Sequence, residues 1–238
     1  DETRLVLETA IGEQREISLP DGSVAVANTG TRVRFDLDEN SRHAYLLQGE
    51  ALFTVAHDPS RPFIVHAGRQ TVRAVGTEFA VRIADADTVF VTVTEGAVEL
   101  TSELPSPGGD ASAALSPPLS AIIAKGYTAT AYKSGFEVME PVALGQIQQR
   151  LSWRNGMLDF SGETLEYAVG EIMRYSPYQV EIDDPQLRDM RIGGVFQMND
   201  ADALFNILGE SFGVEVSYLP DNVVRLSLAT ETGDNVVR

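Results

Sequence analysis

The last third of the chain writes one pattern twice, and that repeat limits what it can fold into. Gly156 to Phe160 reads as a strand, Leu165 to Tyr175 as a helix and Gln179 to Asp183 as a strand. Arg191 to Phe196, Ala201 to Phe212 and Val214 to Leu219 then repeat strand, helix, strand. Leu165, Ala168, Val169 and Ile172 fall at i, i+3, i+4 and i+7, as do Ala201, Leu204, Phe205 and Leu208. That spacing puts four apolar side chains on one face of each helix, and such a face needs a sheet to lie on. The expectation is a small α+β domain with a βαβ-βαβ repeat, its sheet covered by two helices. Asn199 is the expected N-cap of the second helix, with Asp200 and Asp202 in its first turn. Gly213 suits the left-handed position that ends that helix, and Pro177 stops the first one.

The region before it alternates in the other period. Glu16 to Leu19, Val24 to Asn28, Arg32 to Phe35, Ala44 to Leu47 and Ala51 to Val55 read as short strands. Phe63 to His66, Val72 to Val75, Phe79 to Ile83, Val89 to Val93 and Ala97 to Leu100 continue the series. Turns separate them, such as Pro20-Asp21-Gly22-Ser23, where Pro presets φ and Gly accepts φ > 0. Regular short strands predict an all-β antiparallel domain, a sandwich or solenoid-like fold. Leu47 to Phe53 and Val93 to Glu99 echo each other as strand, polar-Gly turn, strand, but two copies make no repeat array. Leu104 to Pro118 holds four prolines and reads as a long surface loop inside this domain. Ile122 to Ala124 and Tyr127 to Ala131 read as a closing hairpin around Gly126. The division expected is therefore an all-β domain over 1–132, a connector over 133–152, an α+β domain over 153–230 and a disordered tail over 231–238. Leu144, Ile147 and Leu151 put a helical spacing in the connector.

Composition narrows the function classes. The 238 residues suit two ordinary domains, each able to bury a core. Net charge is −17, divided as −8 over 1–132 and −9 over 133–238, so there is no acidic tail. An even negative field argues against nucleic acid and against anionic lipid surfaces. The absence of cysteine removes disulfides, thiolate nucleophiles and zinc–thiolate sites. No stretch approaches the roughly 20 apolar residues of a membrane helix.

Candidate chemistry is thin. Gly209-Glu210-Ser211-Phe212-Gly213 matches the GxSxG pattern of esterases, but that elbow needs a strand before the serine and a helix after it. Here the order is reversed, and His43, His57 and His66 all lie upstream in the other domain. The structural alternative is a helix ending on Gly213 with Phe212 buried. Asp36 to Asn40 begins like a calcium loop, yet Ser41 stands where Gly is wanted and Leu47 where a bidentate Glu is required. It reads as a solvated hairpin tip. Asp183-Asp184 and Asp200/Asp202 have turn and helix-dipole explanations. The histidines lack metal spacing, and no phosphate loop is present. Neither a catalytic constellation nor a cofactor or metal site is expected.

Arg191-Ile192-Gly193-Gly194-Val195-Phe196 carries the one candidate binding feature. Two glycines strip a strand of surface and mark either a bulge or a close backbone approach. A small sheet also has two edge strands, and an unpaired edge is a template for strand addition. The expected partner-binding residues are Arg191, Ile192, Gly193, Gly194, Val195 and Phe196, with Val214 to Leu219 as the other edge.

Three blocks together resemble the FecR family of transmembrane sigma-factor regulators. They are Leu46 to Asp58 with Arg61-Pro62-Phe63, then Arg73 to Val81, then Val91 to Val98, and Leu19 to Ser23 fits the same family. The resemblance spans roughly residues 10–132. Trp153 to Phe160, Arg174-Tyr175 and Gly193 to Phe196 resemble the family's C-terminal part. The double strand-helix-strand plan also resembles the short N-terminal domain of secretins and TonB-dependent receptors. Leu104 to Pro118 departs from the family pattern.

What the resemblance implies is a periplasmic sensor, part of a single-pass inner-membrane anti-sigma factor in cell-surface signalling. Its implied partner is the N-terminal signalling domain of an outer-membrane TonB-dependent transducer, commonly one importing ferric siderophores. Site-specific proteases of the cell envelope would act on the regulator, and a sigma factor would meet only its cytoplasmic segment. The family brings no catalytic residues. The rival reading is a cell-envelope scaffold or polysaccharide-binding module. An exposed aromatic row would favour it, but Phe35, Phe53, Phe63 and Phe79 fall in alternating runs that predict core.

Overall fold

The structure is a computed structural model that describes residues 3–102, 119–132, 135–139, 141 and 144–229. The proline-rich stretch 104–118, Lys133-Ser134 and the tail 231–238 lie outside the described residues. The chain forms two compact units, residues 1–148 and 149–238.

Unit one runs through β1 (Thr3–Glu8), β2 (Arg15–Ser18), β3 (Val24–Ala27), β4 (Arg32–Leu37), β5 (Arg42–Gln48), β6 (Glu50–Thr54) and β7 (Phe63–Ala67). It continues with β8 (Gln70–Ala74), β9 (Glu78–Ile83), β10 (Val89–Glu95), β11 (Ala97–Ser102), β12 (Leu119–Ala124), β13 (Thr128–Tyr132) and β14 (Gly135–Met139). These make two seven-stranded sheets, ordered β1-β4-β5-β7-β8-β11-β12 and β14-β13-β10-β9-β6-β3-β2. Period-two alternation decides which side of each strand is core. In β4, Val33, Phe35 and Leu37 are buried while Arg32, Arg34 and Asp36 point outward. Rings from the two sheets meet in one shared core, with Phe53 on β6 lying 6.0 Å from Phe63 on β7.

The antiparallel expectation needs one correction. β5 and β7 pair in parallel, because β6 crosses to the other sheet between them. A second difference is that residues 135–139 add β14 beside β13, although the connector was expected to begin at 133.

The echo between Leu47–Phe53 and Val93–Glu99 marks the two places where the chain changes sheet through a single Gly. At Gly49 it passes from β5 to β6, and at Gly96 from β10 to β11. Both glycines have positive φ, +84° and +75°, and both touch an earlier corner. A Cβ on Gly49 would sit 2.3 Å from Thr31 Oγ1, and one on Gly96 would sit 2.7 Å from Thr77 Cγ2. Only glycine permits corners stacked this closely. The Gly49 corner is also bonded to its neighbour, since the Glu50 backbone N–H donates to Thr31 Oγ1 at 2.9 Å.

Arg42 closes another part of the sandwich. Its side chain is 1% exposed and its Nη1 lies 3.0 Å from Asp21 Oδ2, in the turn between β2 and β3. Nη1 also donates to Ala56 O (3.0 Å), Nε to Arg61 O (2.6 Å) and Nη2 to Asp58 O (3.3 Å). Asp21 in turn accepts from the Ser23 hydroxyl at 2.7 Å. The Asp58 carboxylate shapes the loop that supplies these carbonyls. The Ser60 hydroxyl, and after it Arg61, hold that carboxyl down at about 2.

Unit two follows α1 (Leu144–Arg150), which spans the boundary between the units, and a 3-10 turn at Ser152–Asn155 carrying buried Trp153. Then come β15 (Met157–Thr164), α2 (Leu165–Met173), β16 (Gln179–Ile182), α3 (Pro185–Arg188) and β17 (Arg191–Gln197). It ends with α4 (Ala201–Phe212), β18 (Val214–Leu219) and β19 (Val223–Leu228). The repeat is present, but the single sheet expected for it is two: β15-β17 and β16-β19-β18. β19 makes the difference by pairing antiparallel with β18 and parallel with β16. Asp221 and Asn222 turn the chain into it with φ of +62° and +59°.

The apolar stripes face inward as their spacing requires. Leu165, Ala168, Val169 and Ile172 on α2, and Ala201, Leu204, Phe205 and Leu208 on α4, are all buried. The N-cap of α4 is Asp200, whose carboxylate accepts the Ala203 N–H at 3.0 Å, not Asn199. Gly213 ends that helix at φ +64°. Phe212, expected in the core, is 41% exposed.

Two measurements test this account. Arg42→Met strands the Asp21 carboxylate in the interior and should cost about 3–5 kcal/mol in urea denaturation. Arg42→Met/Asp21→Leu should recover part of that loss. The Asp58 carboxyl has a depressed folded pKa, so its contribution is complete above the ordinary value of 3.8 and fades as pH falls towards 2. The stability gap between wild type and Asp58→Ala should narrow over that window and be constant at neutral pH.

Candidate partner-docking edge

β17 is built from a strand pattern whose alternate side chains do different work. Ile192 and Phe196 are 2% and 6% exposed and belong to the core, with the Phe196 ring 5.9 Å from that of Phe160. Arg191, Gly193 and Val195 face out. Val195 is 59% exposed. The strand pairs with β15 alone among the described residues, from Met157↔Gln197 to Thr164↔Arg191. Its other edge therefore presents unpaired backbone. Of the six expected binding residues, Arg191, Gly193, Gly194 and Val195 are exposed, while Ile192 and Phe196 are committed to packing.

The two glycines have different reasons. Gly194 has φ +142°, and a Cβ there would stand 3.2 Å from Phe196 Cε2. The aromatic ring folds back over the bare backbone, so Gly194 is required by packing and by conformation. Gly193 needs neither: a Cβ would make only an ordinary 3.8 Å contact with Phe160 O. The bulge offered as one explanation exists on the opposite strand. The register slips between Ser161 and Glu163, leaving Gly162 as the extra residue of β15. Arg191 Nη1 donates to Gly162 O at 3.1 Å and ties the bulge to β17.

The other expected edge, Val214 to Leu219, is also an edge: β18 ends the sheet β16-β19-β18. Its outward tyrosine is occupied. The Tyr218 hydroxyl donates to Asp202 Oδ1 at 2.9 Å, and its ring packs edge-on against Phe205 and Tyr178. Burial, and then the Asp202 carboxylate, push the phenol up to about 12.

The remaining candidates resolve plainly. Ser211 lies exposed in the last turn of α4, with a strand after it and all three histidines in unit one, so the nucleophile-elbow order is absent. Asp38 caps a hairpin tip, accepting the Asn40 and Ser41 N–H groups at 2.7 Å each, and the bonds from Asn40 and Ser41 lower its pKa. Phe35, Phe53, Phe63 and Phe79 are all at most 1% exposed, so they form no sugar-stacking row.

One cluster was not foreseen. His43 and His66 sit on neighbouring strands with His43 Nδ1 2.9 Å from His66 Nε2. Tyr45 stacks on His66 at 4.6 Å and Arg34 lies over Tyr45 at 4.3 Å. Twenty-three residues separate the histidines, and only the parallel β5/β7 pairing brings them together. The sequence signal was their outward parity on two strands, which is useless until that pairing is known.

Comparison with known proteins bears on both units. The FecR protein family model matches residues 6–99, so the motif resemblance holds over that segment. Two crystal structures of a candidate anti-sigma factor from Parabacteroides distasonis ATCC 8503 share the fold, with TM-scores of 0.73 and 0.72. Each is 21% identical to this chain; the alignments cover 95% and 96% of it and 100% of the neighbour. No curated protein sequence matches.

The two glycines give a direct test. Gly194→Ala should destabilise by about 1–3 kcal/mol through its positive φ and the Phe196 contact. Gly193→Ala should leave thermal stability within about 0.5 kcal/mol of wild type.

Proposed function

We propose that this chain is the signal-receiving region of a FecR-type sigma-factor regulator, placed in the periplasm as part of a single-pass inner-membrane protein. Its partner is the N-terminal signalling domain of an outer-membrane TonB-dependent transducer, with ferric-siderophore uptake as the associated transport. Cell-envelope proteases carry the signal onward, and the sigma factor meets the cytoplasmic segment of the regulator. The FecR match over residues 6–99 supports the regulator reading, and so does a fold shared across both units with a candidate anti-sigma factor. The observation that carries the docking mode is the open edge of β17, where Gly193 is bare without any packing reason.

Strand addition suits that edge. Backbone hydrogen bonds supply affinity, and the outward residues Arg191 and Val195 supply side-chain contacts on alternate positions. The even negative charge of the chain favours a partner surface with basic groups.

Calorimetric titration of this chain with the signalling domain of a TonB-dependent transducer from the same genome tests the proposal. The expected result is saturable one-to-one binding that Val195→Glu weakens about tenfold or more, with the fold intact by circular dichroism. Binding unaffected by Val195→Glu but lost on Tyr218→Glu would move the site to β18. No binding to any such domain from that genome would sink the transducer reading.

A further inference from the structure

Among the described residues the sandwich of unit one has four open sheet edges, β1 and β12 in one sheet and β14 and β2 in the other. An open edge is a template for another chain, and charge on the strand is a usual guard against pairing. Three of the four carry that guard: Arg4 and Glu8 on β1, Arg15 and Glu16 on β2, and Glu137 on β14. β12 carries none. It reads Leu-Ser-Ala-Ile-Ile-Ala, in a chain whose net charge is −17. Ile122 near its middle is 67% exposed, and Ser120 and Ala124 on the same face are exposed too.

The pairing with β11 decides which backbone groups of β12 point away from the sheet. The two strands run antiparallel, with Val98↔Ile123 and Leu100↔Ala121 in register. Just past the strand, the Lys125 N–H donates to Gly96 O at 2.8 Å. Backbone direction alternates along an antiparallel ladder. Leu119, Ala121 and Ile123 therefore bond inward to β11, and Ser120, Ile122 and Ala124 direct N–H and C=O to the open side. The side chains of those three stand on the outer face, because Ile123 and Ala121 turn to the core.

Small, large, small about Ile122 is an order that complements itself. A second copy laid antiparallel along β12, with the two-fold axis at Ile122, sets Ile122 opposite Ile122. Ser120 then faces Ala124 of the second copy on both sides, and each of these pairs exchanges two backbone hydrogen bonds. A slip of one residue would set outward side chains against core-facing ones, so the register is specified. No carboxylate meets a carboxylate. Glu99, beside Ile122 on β11, has Arg73 at 3.8 Å, and the charge that adjoins the strand is the cation of Lys125. A strand from a different protein would need none of this symmetry.

We propose that β12 is a homodimerisation edge, through which two copies of this chain join their sheets by antiparallel pairing about Ile122. The contact uses no residue of β17 and stands apart from the docking proposed there. Two six-residue strands bury less than the roughly 1,200 Å² of a standard interface, so the dimer is weak and concentration-dependent.

Sedimentation equilibrium of the whole chain over a concentration series tests it. The expected result is a reversible monomer–dimer equilibrium. Ile122→Lys and Ile122→Glu, at an exposed position, should each weaken the dimer about tenfold or more, because residue 122 then meets its own charge. An equimolar mixture of the two variants, both folded by circular dichroism, should recover dimer, since lysine then faces glutamate. Only a contact in which residue 122 meets itself behaves in this way. A chain that stays monomeric at every concentration overturns the proposal. So does a dimer that both variants leave intact, or a mixture no more dimeric than its components.

Discussion

The buried Arg42–Asp21 pair is the constraint on which unit one is organised. A guanidinium at 1% exposure is tolerable only if its charge and its donors are answered. The carboxylate answers the charge, and carbonyls of residues 56, 58 and 61 answer the donors. To do so, the turn between β2 and β3, the start of β5 and the loop before β7 must converge on one point. The start of β5 lies in one sheet, the turn between β2 and β3 in the other, and the loop before β7 joins the two, so the ion pair fixes how one sheet lies on the other at that place. Apolar packing sets the separation of the sheets and, through interdigitated side chains, resists their sliding. A charged pair with four directed bonds adds a directional constraint at one point of that interface.

The same logic runs through the corners. Fourteen short strands among the described residues, distributed over two sheets, require repeated crossings, and each crossing exposes backbone groups that must find partners. Stacking the Gly49 corner on Thr31 lets two consecutive crossings satisfy each other through the Thr31 hydroxyl, and the Gly96 corner packs as closely on Thr77. The parallel β5/β7 pair is a consequence, because a strand that leaves for the other sheet cannot also form the hairpin that would make its neighbours antiparallel.

Much of this was legible in the sequence because period and punctuation are local. The spans of α4 and β18 follow directly from the apolar stripe, Gly213 and the alternation after it. What stayed hidden depends on pairing. β19 alternates as well as any strand, but nothing local says that it inserts between β16 and β18 and splits one sheet into two. β14 is short and follows residues that look like a linker. The cap of α4 fell one residue early because Asn199 and Asp200 are both competent, and only the backbone geometry decides between them. The His43–His66 contact needs the parallel strand pairing, which no spacing announces. At β17 the Gly-Gly signal was visible and its meaning was divided: Gly194 answers to Phe196, and Gly193 to nothing inside the unit.

That division bears on which edge of unit two would serve an incoming strand under the proposed docking. An edge becomes available when its backbone is unpaired and its outward side chains do not already have work. β18 meets the first condition and fails part of the second. Tyr218 is held by Asp202 and by two rings, and moving it would surrender a hydrogen bond and aromatic contacts together. β17 meets both. Its buried residues are fully used, its bulge is on the far strand, and the outward positions are a bare glycine, an exposed valine and an arginine anchored at one end. A strand laid along β17 displaces almost nothing. One laid along β18 must first undo a contact that unit two already makes, and that asymmetry favours β17.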